Sequence, residues 1–355
     1  MRVFIRTTQK LSLLLSIIIF SLKPVLAHGA GCACTALRPT AIGGPIITIP
    51  AYTMPKGTFS VGYGMSFLNN KRLGAGAISR VLKSGEHADD SYGSLNQSVS
   101  AAYGLTDDLN IFVTLPFNMA FDFREVGDSV DKLGHSIGFG DLILLSQYRI
   151  YESDKTNVSL LGGIKFPTGK THVQSNTGET FEALNNPGSG SFDPMFGLAV
   201  SRPIGRLGID CNVLYKLSTK GSQDTILGDV ANYNLALSYA VNHDHKEEFT
   251  HKHEHGKKPN KDFLERIFPQ HVLGQHLAWD LILELNANWE EKPDVSGVRD
   301  NNHGGTTIFL SPGFRTTINE RYVFNMGIGF PIIENLNGEQ GGTDLQIYTG
   351  FAMSL

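Results

Sequence analysis

From Leu109 to Phe123 the chain reads LNIFVTLPFNMAFDF: Leu109, Ile111, Val113, Leu115, Phe117, Met119, Phe121 and Phe123 alternate with positions that include Asn110, Thr114, Asn118 and Asp122. A period of two places the apolar set on one face of a β-strand and the polar set on the other. The stretch is fifteen residues long, against about five or six for an ordinary soluble strand. An apolar strip of that length needs a cover. In a soluble sandwich the cover is an opposing sheet; in a membrane it is lipid, and the strands then close into a barrel that leaves no backbone edge unpaired.

The same alternation recurs along the chain. It predicts strand one over Thr58 to Leu68, two over Asn96 to Leu105, three over the stretch above, and four over Ile137 to Ile150 after a loop reaching about Gly134. Strands five to eight follow over Asn157 to Thr168, Phe192 to Arg202, Leu207 to Leu217 and Val230 to Val241. Strands nine to twelve span Ala278 to Trp289, Thr306 to Ile318, Arg321 to Ile332 and Asp344 to Leu355. Connections alternate between short and long, as in outer-membrane barrels, and the predicted fold is an all-β antiparallel transmembrane barrel of about twelve strands. Strand nine supplies a length check, because Trp279 and Trp289 share a face ten residues apart with Leu281, Leu283 and Leu285 between them. At ~3.3 Å per residue and a tilt near 40° they are roughly 25 Å apart along the membrane normal, the height of an apolar band between aromatic girdles.

Residues 1–27 carry Arg2, Arg6 and Lys10 ahead of the apolar run Leu11 to Phe20, and Val25-Leu26-Ala27 provides a cleavage site, so the segment reads as a secretory signal peptide. Residues 28–57 then form a periplasmic leader or plug, and 58–355 form the barrel. Composition fits an exported barrel, with 39 Gly, 10% aromatic and only 18% charged residues and a mean hydropathy near zero. Loss of the signal moves the formal charge from −4 to about −8, which disfavours nucleic acid as a partner. The C-terminal octet Tyr348 to Leu355 resembles the signal read by the outer-membrane assembly machinery, although Leu355 stands where Phe is more usual. Expected partners are therefore outer-membrane lipid, that machinery and a small-molecule solute, at a Gram-negative outer membrane.

The inward positions predict a polar lumen of both signs: Asp141, Arg149, Lys165, Asp193, Asp210, Lys216, Asp280, Glu284 and Arg315. These line a solute path or pair across the barrel and plug it. The connection 242–277 holds His243, His245, His251, His253 and His255. Alternate histidines in an extended segment suit Zn, Cu or Ni, while the competing reading is a solvated charged loop. Strand parity puts this connection on the periplasmic side, where Asp262 caps a short apolar helix ended by Pro269. His28, Cys32 and Cys34 form a second soft-metal candidate on that side, set against a flexible leader. No cofactor is required. No spacing of Ser, His and Asp singles out a catalytic set, so the chain reads as a non-enzyme.

Between strands four and six the chain carries Phe139-Gly140-Asp141-Leu142 with Tyr148-Arg149, then Ile164-Lys165-Phe166-Pro167-Thr168-Gly169-Lys170, then Gly188-Ser189-Gly190-Ser191-Phe192-Asp193 and Gly197-Leu198. In these motifs it resembles the family of outer-membrane transporters named for the meta-pathway of phenol degradation. The resemblance implies a barrel that passes small, often apolar or aromatic compounds, and it supplies no catalytic residues. Members of the family also accompany heavy-metal efflux systems, which bears on the His-rich connection. The functional expectation is a passive channel for small organic solutes; a metal-binding protein linked to Cu, Zn or Ni resistance, or a purely structural barrel, are the alternatives.

Overall fold

The computed structural model describes residues 45–241, 277–318 and 321–355. The expected signal peptide, His28, Cys32, Cys34, the five histidines of 243–255 and the helix expected after Asp262 lie outside the described residues.

Twelve strands form a sequential antiparallel meander. They are β1 (Phe59–Asn70), β2 (Gly93–Thr106), β3 (Leu109–Val126), β4 (broken into Val130–Phe139 and Leu142–Ser153), β5 (Thr156–Phe166), β6 (Asp193–Ile204), β7 (Leu207–Lys216), β8 (Val230–Ala240), β9 (Leu277–Glu290), β10 (Gly305–Ile318), β11 (Tyr322–Leu336) and β12 (Thr343–Ser354). Strand β1 pairs with β2 on one side and with β12 on the other, Ser60 opposite Ser354, so the sheet closes on itself. Closure leaves the barrel wall without an edge, which is the condition for β-structure in hydrocarbon, and only Val130–Phe139 and the short strand Ala88–Asp90 pair on one side alone.

Side-chain exposure follows the alternation. On β9 the outward Leu281, Leu283 and Leu285 are exposed, whereas the inward Ile282, Glu284 and Asn286 are buried. Aromatic pairs flank the apolar band at both ends. Trp279 lies tilted beside Phe314, and Phe314 beside Phe324, each at 6.0 Å near one rim. Phe117 with Phe139 at 5.1 Å, Phe166 with Phe192 at 6.0 Å and Phe196 with Tyr215 at 5.3 Å mark the other.

The two rims differ. At one, β2–β3, β4–β5, β6–β7 and β10–β11 are joined by short turns; the other carries the long connections, including helix α1 (Ala75–Ser84). Val241 and Leu277, which flank the His-rich connection, lie at the short-turn rim, where Val241 N donates to Trp279 O at 2.8 Å and Leu277 pairs with Ile318.

Two details depart from the sequence reading. No long loop separates β3 from β4: both strands continue as a tall hairpin, with Arg124 opposite Lys132 and Val126 opposite Val130. Its apolar residues Phe123 and Leu133 are covered by Val173 and Phe181 from the β5–β6 connection, which is why strand structure extends beyond the apolar band. Strand β4 also breaks at Gly140 and Asp141, for a reason that belongs to the site below.

Leu283 faces outward midway along β9, with 43% of its surface exposed. Leu283→Arg is expected to cost ~2–4 kcal/mol of barrel stability, as for a cation at the bilayer midplane. Denaturant titration in lipid vesicles checks this; an unchanged midpoint would contradict a lipid-facing position.

Candidate functional site

A barrel of eight strands is just filled by its own side chains, and a wider one leaves room. Here residues 45–56 occupy part of that room. Pro45, Pro50 and Pro55 remove backbone donors at every fifth position, so the segment is ill suited to a sheet ladder. It is held instead by inward side chains of six strands. Glu284 on β9 accepts from three successive amides: Ile46 N, Ile47 N at 3.0 Å and Thr48 N at 3.1 Å, with the Thr48 hydroxyl at 3.2 Å. Asn212 Oδ1 on β7 accepts from Ile49 N at 2.8 Å, and Ser201 Oγ on β6 from Ala51 N at 2.8 Å. Gln147 on β4 donates to Pro50 O and Ser159 on β5 to Ala51 O, both at 2.6 Å, while Asn110 on β3 accepts from Met54 N at 3.0 Å.

The plug is also apolar. Ile49, Ala51 and Met54 are buried against inward Phe112, Leu145, Leu161, Met195 and Leu214 of strands β3 to β7. The expected polar lumen is therefore interrupted on this side by a packed core. Inward Ile143 and Leu145 on β4 and Leu161 on β5 were its sequence signal, since they put apolar side chains among polar inward positions.

Above the plug, towards the long loops, lies a cavity of about 460 Å³. Ile46, Ile47 and Ile49 of the plug form part of its lining, along with Asn and Gln amides from several strands and the charged groups Asp89, Asp141, Lys165, Lys216, Glu290 and His303.

The nine residues expected in the lumen separate into groups. Asp141, Lys165 and Asp193 meet: Lys165 Nζ lies 2.9 Å from Asp141 and 2.7 Å from Asp193. Asp141 also accepts from Gly169 N at 2.9 Å and from Ser189 N at 2.8 Å, and Asp193 accepts from Thr219 N at 2.9 Å. These bonds tie the break in β4 to both ends of the β5–β6 connection. Backbones touch there: a Cβ on Gly169 would lie 2.7 Å from Gly188 Cα, and one on Gly188 2.5 Å from Gly169 C. Glu284 anchors the plug, and Lys216 and Glu290 both lie opposite Val230, two strands apart, beside the cavity. Asp280 and Arg315 are register partners on β9 and β10, both buried. Asp210 accepts from the Ser201 hydroxyl. Arg149 lies at the short-turn rim, 2.8 Å from Asp108 and 2.9 Å from Glu152, away from the cavity.

Residues 101–250 match the family described as "Putative MetA-pathway of phenol degradation". This is the family that the β4 to β6 motifs resemble. The phenol-degradation match contains the whole Asp141–Lys165–Asp193 knot, so its motif glycines and charges have a structural task in this chain. No curated protein sequence matches. Among solved structures, an outer membrane channel from Pseudomonas putida F1 is similar over 86% of this chain and 98% of its own, at 14% identity and a TM-score of 0.53. LpxR from Salmonella typhimurium, at 10% identity, covers 83% of this chain and 99% of its own with a TM-score of 0.42. The NanC porin, at 8% identity, covers 84% and 100% with a TM-score of 0.41. The first likeness establishes the fold as that of outer-membrane barrels.

Two outcomes follow from this geometry. Gly169→Val is expected to push the β5–β6 connection off β4 and to cost ~1–3 kcal/mol, as overpacking does; a lower temperature for loss of the compact, heat-modifiable gel band checks it. The second concerns the mouth of the cavity. Burial would lower the His303 imidazole, but its 2.6 Å contact with Asp300 and the charges of Asp89, Asp300 and Glu290 outweigh burial and raise it from 6.5 to about 9. A raised imidazole stabilises the closed connection fully below pH ~6.5 and loses that contribution as pH rises through about 9. The protection factors of residues 300–304, that is, the intrinsic base-catalysed exchange rates divided by the observed rates, should fall over that range, and His303→Gln should abolish that fall.

Proposed function

We propose that this protein is an outer-membrane channel for small organic solutes, closed at rest by its own N-terminal segment. The long-loop rim faces outward from the cell, the short-turn rim faces the periplasm, and a solute occupies the cavity before passing the displaced plug. The observation that carries this reading is the way residues 46–54 are held: their hydrogen bonds to the barrel wall come from side chains such as Glu284, Gln147 and Asn110, not from strand pairing. A segment held in this manner can leave without opening the barrel. The barrel fold, the family match and the likeness to an outer membrane channel support the reading.

Glu284 is the strongest single anchor, accepting from three backbone amides of the plug. Glu284→Ala strands these donors, each worth ~1–3 kcal/mol when buried without a partner. The variant is expected to raise ion conductance in planar bilayers at least tenfold over the parent, and to speed swelling of solute-loaded liposomes. Deletion of residues 45–56 should do the same. A parent and both variants that conduct no more than empty membrane would overturn the channel reading.

A further inference from the structure

One wall of the cavity is chemically more specific than the rest. The inward residues Asn212, Asn234 and Asn286 stand side by side on β7, β8 and β9, Asn234 being the register partner of both others. Asn286 Nδ2 donates to Asn234 Oδ1 at 3.1 Å, and Asn234 Nδ2 donates to Asn212 Oδ1 at 3.3 Å. The amides therefore run head to tail, and the two ends of the row differ. Asn212 Nδ2 is left as a donor and Asn286 Oδ1 as an acceptor, neither with a hydrogen-bond partner among the described residues. Both residues belong to the cavity lining, and at 3% and 6% exposed their two unpaired atoms have almost no open surface of their own. One step nearer the long loops, Asn232 and Asn288 face each other across β8 and β9 and also line the cavity. On another wall Ser136, 1% exposed, presents a hydroxyl that likewise has no partner among the described residues.

These groups define the ligand they can accept. An apolar solute seated here would strip water from the half-buried amides of Asn232 and Asn288 and give nothing back. A simple cation offers nothing to the amide donors of this wall, and a simple anion nothing to its acceptors. A hydroxyl both donates and accepts, and neighbouring hydroxyls can serve two adjacent amides at once. The charges nearby impose no single sign, because Lys165 is bracketed by Asp141 at 2.9 Å and Asp193 at 2.7 Å. Tyr348 and Phe309 supply apolar faces in the same lining, suited to the C–H face of a ring. The volume of about 460 Å³ falls in the range of small-molecule pockets, ~300–1,000 Å³.

We propose that the amide row of β7, β8 and β9 is a binding site for an uncharged, polyhydroxylated solute of the mono- or disaccharide class. The proposal rests on the channel reading for its setting and names the solute class of that channel. It runs against the apolar or aromatic solutes implied by the family resemblance.

Equilibrium dialysis of radiolabelled sucrose against the purified full-length protein in detergent tests it. The expected result is saturable binding to one site, weakened about tenfold or more by Asn234→Leu and by Asn288→Leu in protein that keeps its heat-modifiable gel band, and not displaced by phenol. If Asn234→Leu fails to fold, Asn288→Ala carries the comparison, since Asn288 lies outside the hydrogen-bonded row. Sucrose binding that does not saturate, that survives the Asn substitutions, or that phenol displaces would overturn the proposal. Dialysis reads binding without passage. Absent sucrose binding in a barrel that still conducts after Glu284→Ala refutes the solute class alone, whereas binding without conductance refutes the channel reading alone.

Discussion

The constraint behind this structure is that no backbone hydrogen-bonding group can be left bare in hydrocarbon. Twelve strands meet it by closing β1 onto β12, with Ser60 opposite Ser354 and Tyr63 opposite Phe351. Closure at this size creates a second problem, because the enclosed width exceeds what inward side chains fill. The chain answers with its own residues 45–56, whose backbone amides and carbonyls are satisfied by buried Asn, Gln, Ser and Glu side chains. A buried carboxylate without partners would be expensive. Glu284 is acceptable because three successive N–H groups and a hydroxyl converge on it.

Division of the interior follows from where the plug lies. Between β3 and β7, plug and wall form an apolar cluster around Ala51 and Leu145, whose Ile49, Met195 and Leu214 reach the cavity. Towards the long loops the wall is rich in amides and remains open as the cavity. The knot of Asp141, Lys165 and Asp193 fixes the β5–β6 connection against the break in β4. Charges expected from sequence to line a solute path or to pair across the lumen are thus committed in part to local structure: Lys165 lies between two carboxylates, and Arg149 bridges Asp108 and Glu152 at the rim.

How much of this was legible in the sequence depends on whether the signal was periodic. Alternation with a period of two gave the strands, because outward Leu281, Leu283 and Leu285 and inward Glu284 and Asn286 are forced apart by the pleat. The tall β3–β4 hairpin was hidden, since Arg124, Glu125, Asp131 and Lys132 look like a loop when tertiary contacts from Val173 and Phe181 are out of view. The break at Gly140 lies where the backbone of Gly169 approaches, and Gly169 in turn packs on Gly188, both distant in sequence. For the plug, three prolines and no alternation leave nothing periodic to read; leucines on the inner face at 145 and 161 were the trace it left in the strands. Glu284 was recognised as an inward charge, but its partners proved to be amides of the same chain.

The central claim is that residues 45–56 close the barrel and that their displacement opens it. Ser159 Oγ lies 2.6 Å from Ala51 O, so cysteines introduced at 51 and 159 should form a cross-link in native outer membranes. Planar-bilayer conductance of that double variant, with Glu284→Ala added to release the plug, is the direct measurement. The account predicts near-baseline current when the cross-link is oxidised and recovery of the Glu284→Ala current on reduction. Failure to cross-link in membranes, or equal current in both redox states, would contradict it.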